Sequence, residues 1–134
     1  NSLRFSSKMV KVISIKDNTV YAMTKTISLE DFKKLDMRVG KIIKVEDFPE
    51  AQKPAYKLTI DFGKLGIKKS SAQITKRYSK EQLLGRQIVA VVNFSPKQIA
   101  NFISEVLVLG AITKNGEVVL LRPDEDVESG DKIA

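Results

Sequence analysis

Tyr56-Lys57-Leu58-Thr59-Ile60-Asp61-Phe62 alternates apolar with polar residues at every step. A period of two is that of a half-buried antiparallel strand, one face in a core and the other toward water. Gly63 and Gly66 mark the next turn, and Ile67 to Gln73 makes a further strand. Downstream, Ser79-Lys80-Glu81-Gln82 has the spacing of a helical capping box, with Gly85 placed to end the helix. Ile88 to Val92 is a continuous apolar strand and Val106 to Leu109 another. Glu117 to Leu121 gives the last clear strand, after an Asn115-Gly116 turn.

Upstream, Val39 to Val45 opens the sheet, and Pro49 with Pro54 frames a loop that no central strand could contain. A short helix is signalled at Ser28-Leu29-Glu30-Asp31-Phe32: Ser28 can cap it, Glu30 and Asp31 favour its positive end, and Ile27 can staple to Phe32. Leu29, Phe32 and Leu35 form one apolar stripe, read first as core packing and second as a partner contact. Met9 to Ala22 reads as a hairpin turning at Asp17-Asn18, and Met9 and Met23 each offer a natural start. Five or more strands with one helix between the third and fourth fit an OB-fold β-barrel. The expected class is therefore all-β with short helices, with a short N-terminal helix and extra C-terminal strands. Residues 1–26 are assigned to an N-terminal extension and 27–134 to the barrel domain.

At 134 residues, 43% apolar and 29% charged, the chain has the composition of one globular domain. It has neither cysteine nor histidine, which removes disulfides, thiolate or imidazole metal sites, and every Ser-His or Cys-His nucleophile. No enzymatic activity, no metal and no cofactor are expected. No apolar run approaches the roughly 20 residues of a membrane span, and no leader pattern opens the sequence, so a cytoplasmic location without membrane insertion is expected. The net charge of +7 is uneven: residues 64–97 carry Lys64, Lys68, Lys69, Lys76, Arg77, Lys80, Arg86 and Lys97 against Glu81 alone. Such a block reads either as a localised field for an anionic partner or as a solvated lysine surface.

Between those cations lie hydrogen-bonding side chains at strand ends. Alternation places Ser71 and Gln73 on one face and Ser70 and Ala72 on the other, which makes Ser71 and Gln73 the better ligand contacts if the outer face binds. Asn93 and Phe94 follow an apolar strand, beside Lys97. Phe94 reads first as core packing and second as ligand contact, and Asn93 equally as loop shaping or ligand contact. Tyr78 beside Arg77 is a candidate stacking pair for a nucleobase.

Four blocks in order carry a resemblance: Leu35-Asp36-Met37-Arg38-Val39-Gly40-Lys41-Ile42, Ser70-Ser71-Ala72-Gln73-Ile74, Asn93-Phe94-Ser95-Pro96-Lys97-Gln98-Ile99, and Ser104-Glu105-Val106-Leu107-Val108-Leu109. Together they resemble the CsaA proteins, within the wider class of tRNA-binding-domain OB-folds, from about Ile27 to Ile133. The chain departs from that pattern at Ser95, where the family usually has a second proline, and near Gln98, where a further basic residue is common. The resemblance implies a non-enzymatic, ATP-independent chaperone for unfolded or export-bound polypeptides, with a tRNA- or RNA-binding module as the alternative. It implies polypeptide or tRNA contacts at Ser71, Gln73, Lys76, Arg77, Asn93, Phe94, Lys97, Ser104 and Glu105. It also implies a homodimer pairing through Leu29, Phe32 and Val127. Glu105 brings a negative charge to that surface, which disfavours phosphates unless Lys97 or Arg38 neutralises it.

Overall fold

A computed structural model of the chain describes residues 25–134. The chain divides into two units at Phe32–Lys33. In the first, α1 (Leu29–Lys33) starts at Ser28, whose Oγ accepts the Asp31 N–H at 3.1 Å while the Asp31 carboxylate accepts the Ser28 N–H at 3.4 Å. Both ends of a capping box are thus closed by an aspartate where glutamate is usual. No α1 residue is buried, and Ile27 and Leu29 are exposed. The core-packing reading of Leu29 is therefore corrected, since its side chain is 62% exposed on a helix of only five residues. The Met9–Ala22 hairpin lies outside the described residues.

The second unit is an OB-fold barrel. Its strands are β1 (Met37–Asp47), β2 (Tyr56–Asp61), β3 (Ile67–Ala72), β4 (Gln87–Val91), β5 (Lys97–Ile99), β6 (Phe102–Ser104), β7 (Leu107–Val108), β8 (Gly110–Ile112) and β9 (Val118–Leu120). Helix α2 (Lys80–Leu83) falls between β3 and β4, where the sequence places it. Ser79 caps α2 through a complete capping box with Gln82, and Gly85, at φ +85°, follows its end. The main sheet runs β3-β2-β1-β4-β7, all antiparallel, while β5-β6 and β8-β9 form separate hairpins. The expected strand at Val106–Leu109 is shorter, because the chain passes from β3 to β4 there: Glu105 N–H bonds the Lys69 carbonyl at 2.8 Å, and Leu107 pairs with Val91. That step nearly closes the barrel.

Strand alternation sends Leu58, Ile60 and Tyr56 inward, where they pack with Ile42, Phe62, Ile74, Leu83 and Ile88. Each such side chain contributes about 1.5–3 kcal/mol of burial. Gly40 lies under this core: a Cβ there would come within 2.6 Å of both Ile60 Cγ2 and the Phe62 ring. The long β1 changes partner along its length. Its edge meets β2 only from Lys41 onward, and before that it meets the C-terminal segment, through Gly130 N–H to Val39 O (2.7 Å), Val39 N–H to Asp131 O (2.9 Å) and Ile133 N–H to Met37 O (2.9 Å). Gly130 has φ +94°, and a Cβ on it would meet the Phe62 carbonyl at 2.6 Å.

Candidate functional site

In an OB barrel the outer face of the second and third strands, between the β1–β2 loop and the connection that follows β4, is where ligands bind. Here that place is an open depression of about 490 Å³. Glu50 to Lys53 of the β1–β2 loop form one lip, Gln98 to Ala100 at the tip of the β5–β6 hairpin form the other, and Ser71 and Gln73 lie between. The prolines keep the first lip out of the sheet. The second turns sharply at Ala100, whose φ is +53° and whose carbonyl accepts the Gln98 Nε2–H at 3.0 Å.

Ser70 points inward, fully buried, its hydroxyl shared between the Val106 and Ser71 carbonyls at 3.1 Å each. Alternation then leaves Ser71 and Gln73 outward, as the sequence indicates. Ser104 Oγ accepts the Ser71 N–H at 3.1 Å, and Lys97 is the cross-strand partner of Ser104. Ser71, Gln73, Ser104 and Lys97 are therefore brought together. Glu105 does not pair with Lys97 or Arg38: its Oε1 accepts the Lys69 backbone N–H at 2.9 Å, while Arg38 bonds Asp36 at 2.6 Å and the Gly130 carbonyl. The carboxylate serves barrel closure.

A second depression adjoins the first, sharing Lys53 and Gln73 with it, and is lined by Lys76 and Arg77 on one side and Gly116 to Val118 on the other. Arg77 Nε donates to Glu117 Oε1 at 2.9 Å.

Asn93 and Phe94 lie elsewhere. The Asn93 amide shapes the loop before β1, accepting the Asp36 N–H at 2.9 Å and donating to the Lys34 carbonyl at 2.8 Å. This is the start of β1, whereas Gln73 follows the residue aligned through Tyr56 with Asp47 at the other end of that strand, and Asn93 and Phe94 line neither depression. Phe94 is 49% exposed, which corrects its assignment to the core: it sits past the end of β4, where no facing layer covers it. Tyr78 is also reassigned. Its hydroxyl accepts the Leu120 N–H at 3.0 Å, its carbonyl accepts the Tyr56 hydroxyl at 2.7 Å, and the cation over its ring is Arg86, 5.1 Å from the centroid, instead of Arg77. Of the expected dimer residues, Leu29 and Val127 are exposed and Phe32 half-buried.

Sequence reasoning did not assign Lys53, Gln98 and Ile99 to the site: Lys53 lies in a loop, and Gln98 and Ile99 lie in a strand too short to show a period. It also missed a cluster joining the two lips. Phe48 ahead of the first loop and Phe102 on β6 meet edge-to-face with centroids 5.5 Å apart, and Lys57 Nζ lies 5.5 and 5.9 Å from the two rings. Lys57 is the cross-strand neighbour of Ser71.

Among the described residues no group of His, Cys, Asp and Glu could hold a metal ion, and no helix is long and apolar enough to cross a membrane.

A family model described as "Putative tRNA binding domain" matches residues 37–132, from the first residue of β1 into the C-terminal pairing. The methionine–tRNA ligase of Thermococcus onnurineus is 41% identical over 108 residues, which are 80% of this chain and 14% of the ligase. That of Pyrococcus horikoshii is 36% identical over 127 residues, 94% of this chain and 17% of the ligase. The chain thus spans a small fraction of these curated relatives, and the shared part is a binding domain. Among solved structures, the CsaA chaperone protein of Picrophilus torridus is 64% identical with a TM-score of 0.77, covering 81% of this chain and 100% of that one. Chaperone CsaA of Bacillus anthracis is 55% identical with a TM-score of 0.79, covering 82% and 100%. With a family match along the whole barrel and full-length likeness to two CsaA structures, the chain belongs to the tRNA-binding-domain family and is CsaA-like within it.

Proposed function

We propose that the protein is a non-enzymatic, ATP-independent chaperone that holds unfolded or export-bound polypeptides in the depression between the two lips, working in the cytoplasm as a homodimer. The observation that carries this reading is the composition of that depression. Ser71, Gln73 and Gln98 offer groups that both donate and accept, as an extended backbone requires, while Ala51 and Ile99 offer apolar surface to its side chains. The likeness to CsaA structures supports it, and the sequence has no Walker-type glycine loop to drive a hydrolytic cycle. Exposed Leu29 and Val127 support a second copy as the cover for these apolar groups. Suppression of light scattering by an aggregating client, with anisotropy of a labelled unstructured peptide, tests the proposal. No suppression at stoichiometric protein and no peptide binding would sink it.

A second reading is an RNA-binding module. It is favoured by the neighbouring depression, where Lys53, Lys76 and Arg77 converge, and by the family match. Its signature is affinity falling with salt, with a slope of about −0.7 to −0.9 per phosphate contacted. Competition between tRNA and an unstructured peptide for the protein separates the two readings.

A further inference from the structure

The second depression contains a carboxylate already seated on its arginine. It measures about 220 Å³ and has three cations, Lys53, Lys76 and Arg77, against the single acid Glu117. Lys53 and Lys76 form no ion pair among the described residues, and Lys76 is exposed. Glu117 is held there by its backbone: its N–H donates to Thr113 Oγ1 at 3.2 Å and its carbonyl accepts the Thr113 N–H at 2.8 Å, across a turn that requires Gly116 at φ +80°. The hairpin therefore delivers one negative group to the place where the cations converge, and that group bonds Arg77 Nε at 2.9 Å. A phosphate oxygen would take the same position, since guanidinium binds both anions by the same planar fork.

We propose that this depression is a subsite for one backbone phosphate of an RNA strand, and that Glu117 is its resident competitor, occupying Arg77 and lowering the affinity of the domain for nucleic acid. The inference rests on the RNA-binding reading and deepens it: Glu117 sets how strongly the domain prefers other ligands over RNA. Exposed ion pairs are weak, so the competitor can be displaced and does not block the subsite outright. Gln73 and Lys53, common to both depressions, place the phosphate next to whatever the first depression holds.

The test is titration of labelled tRNA and of a single-stranded RNA oligonucleotide at several salt concentrations, against the wild-type protein, Glu117→Gln, Arg77→Gln and the double variant. Glu117→Gln is expected to raise RNA affinity about two- to fivefold at low salt. It should also steepen the salt slope by up to about 0.7–0.9, one phosphate contact. In the Arg77→Gln background the same change should add little. Equal affinity and slope for wild type and Glu117→Gln, with RNA bound by both, overturn the role of Glu117 and leave the RNA reading standing. An equal gain with and without Arg77 also overturns it, because Glu117 would then act only through its net charge. Absence of RNA binding by every variant at low salt removes the RNA reading and this subsite together. Should Arg77→Gln not fold, Arg77→Met, which keeps an unbranched apolar stem but cannot pair with Glu117, takes its place.

Discussion

Gly40 shows how one absent atom allows the core. Ile60 and Phe62 fill the space its side chain would need, so Gly40→Ala should cost about 1–3 kcal/mol by overpacking, read as a lower denaturant midpoint at unchanged slope. An unchanged midpoint would mean that the two side chains move aside freely. At the surface, the Lys80 ammonium donates to the Asp47 carboxylate at 2.8 Å, and this hydrogen bond and the charge of Asp47 push the Lys80 pKa above its ordinary 10.5. A raised lysine pKa means the folded state holds that proton more tightly than the unfolded chain does. The pair's contribution is therefore fully present below the unfolded value and is lost as pH rises through the folded one, in the alkaline range above 10.5. Titration of Lys80 Nζ by NMR should show this elevation in the wild type and its disappearance in Asp47→Asn; equal values in the two proteins would contradict it.

The elements differ in how far they could be read from sequence. β4 was plain, because Ile88 to Val91 are all buried and a strand covered on both faces must be apolar throughout. α2 was equally plain, since capping boxes are local and need only Ser79 and Gln82. The β5–β6 hairpin was not, because three-residue strands carry too few alternations to register a period. At the site, the outward face of Ser71 and Gln73 followed from alternation alone. The role of Asn93 did not, because it depends on Asp36 and Lys34, 57 and 59 residues away in the chain. Glu105 escaped for the same reason, its partner being a backbone N–H on a strand that only closure brings near. The cluster of Phe48, Lys57 and Phe102 is likewise non-local, and it makes a prediction about both lips at once. Phe102→Leu keeps an apolar side chain but removes a ring contact of about 0.5–1.5 kcal/mol, so amide exchange should quicken in residues 50–53 on the opposite lip. Faster exchange confined to the β5–β6 hairpin would show that the lips are independent.

For the molecule as a whole, the proposed homodimer turns on Phe32. Phe32→Glu should give a folded monomer in sedimentation, because a charge in an apolar interface is left without a partner. An unfolded variant would place the ring in the core of a single subunit instead. The +7 net charge also resolves unevenly: Arg77 and Lys80 are paired, Arg86 lies over Tyr78, and Lys64, Lys68, Lys69, Lys76 and Lys97 form no ion pair among the described residues. Salt should therefore weaken anion binding far more than it weakens the fold. The hydrogen bond from the Ile133 N–H to the Met37 carbonyl holds the C-terminal segment beside the first residue of β1. Entry to the first strand and exit from the last pairing meet at one corner, so the barrel can be spliced as a cassette into another protein, or its ends joined and reopened elsewhere, with only a short tether at the seam.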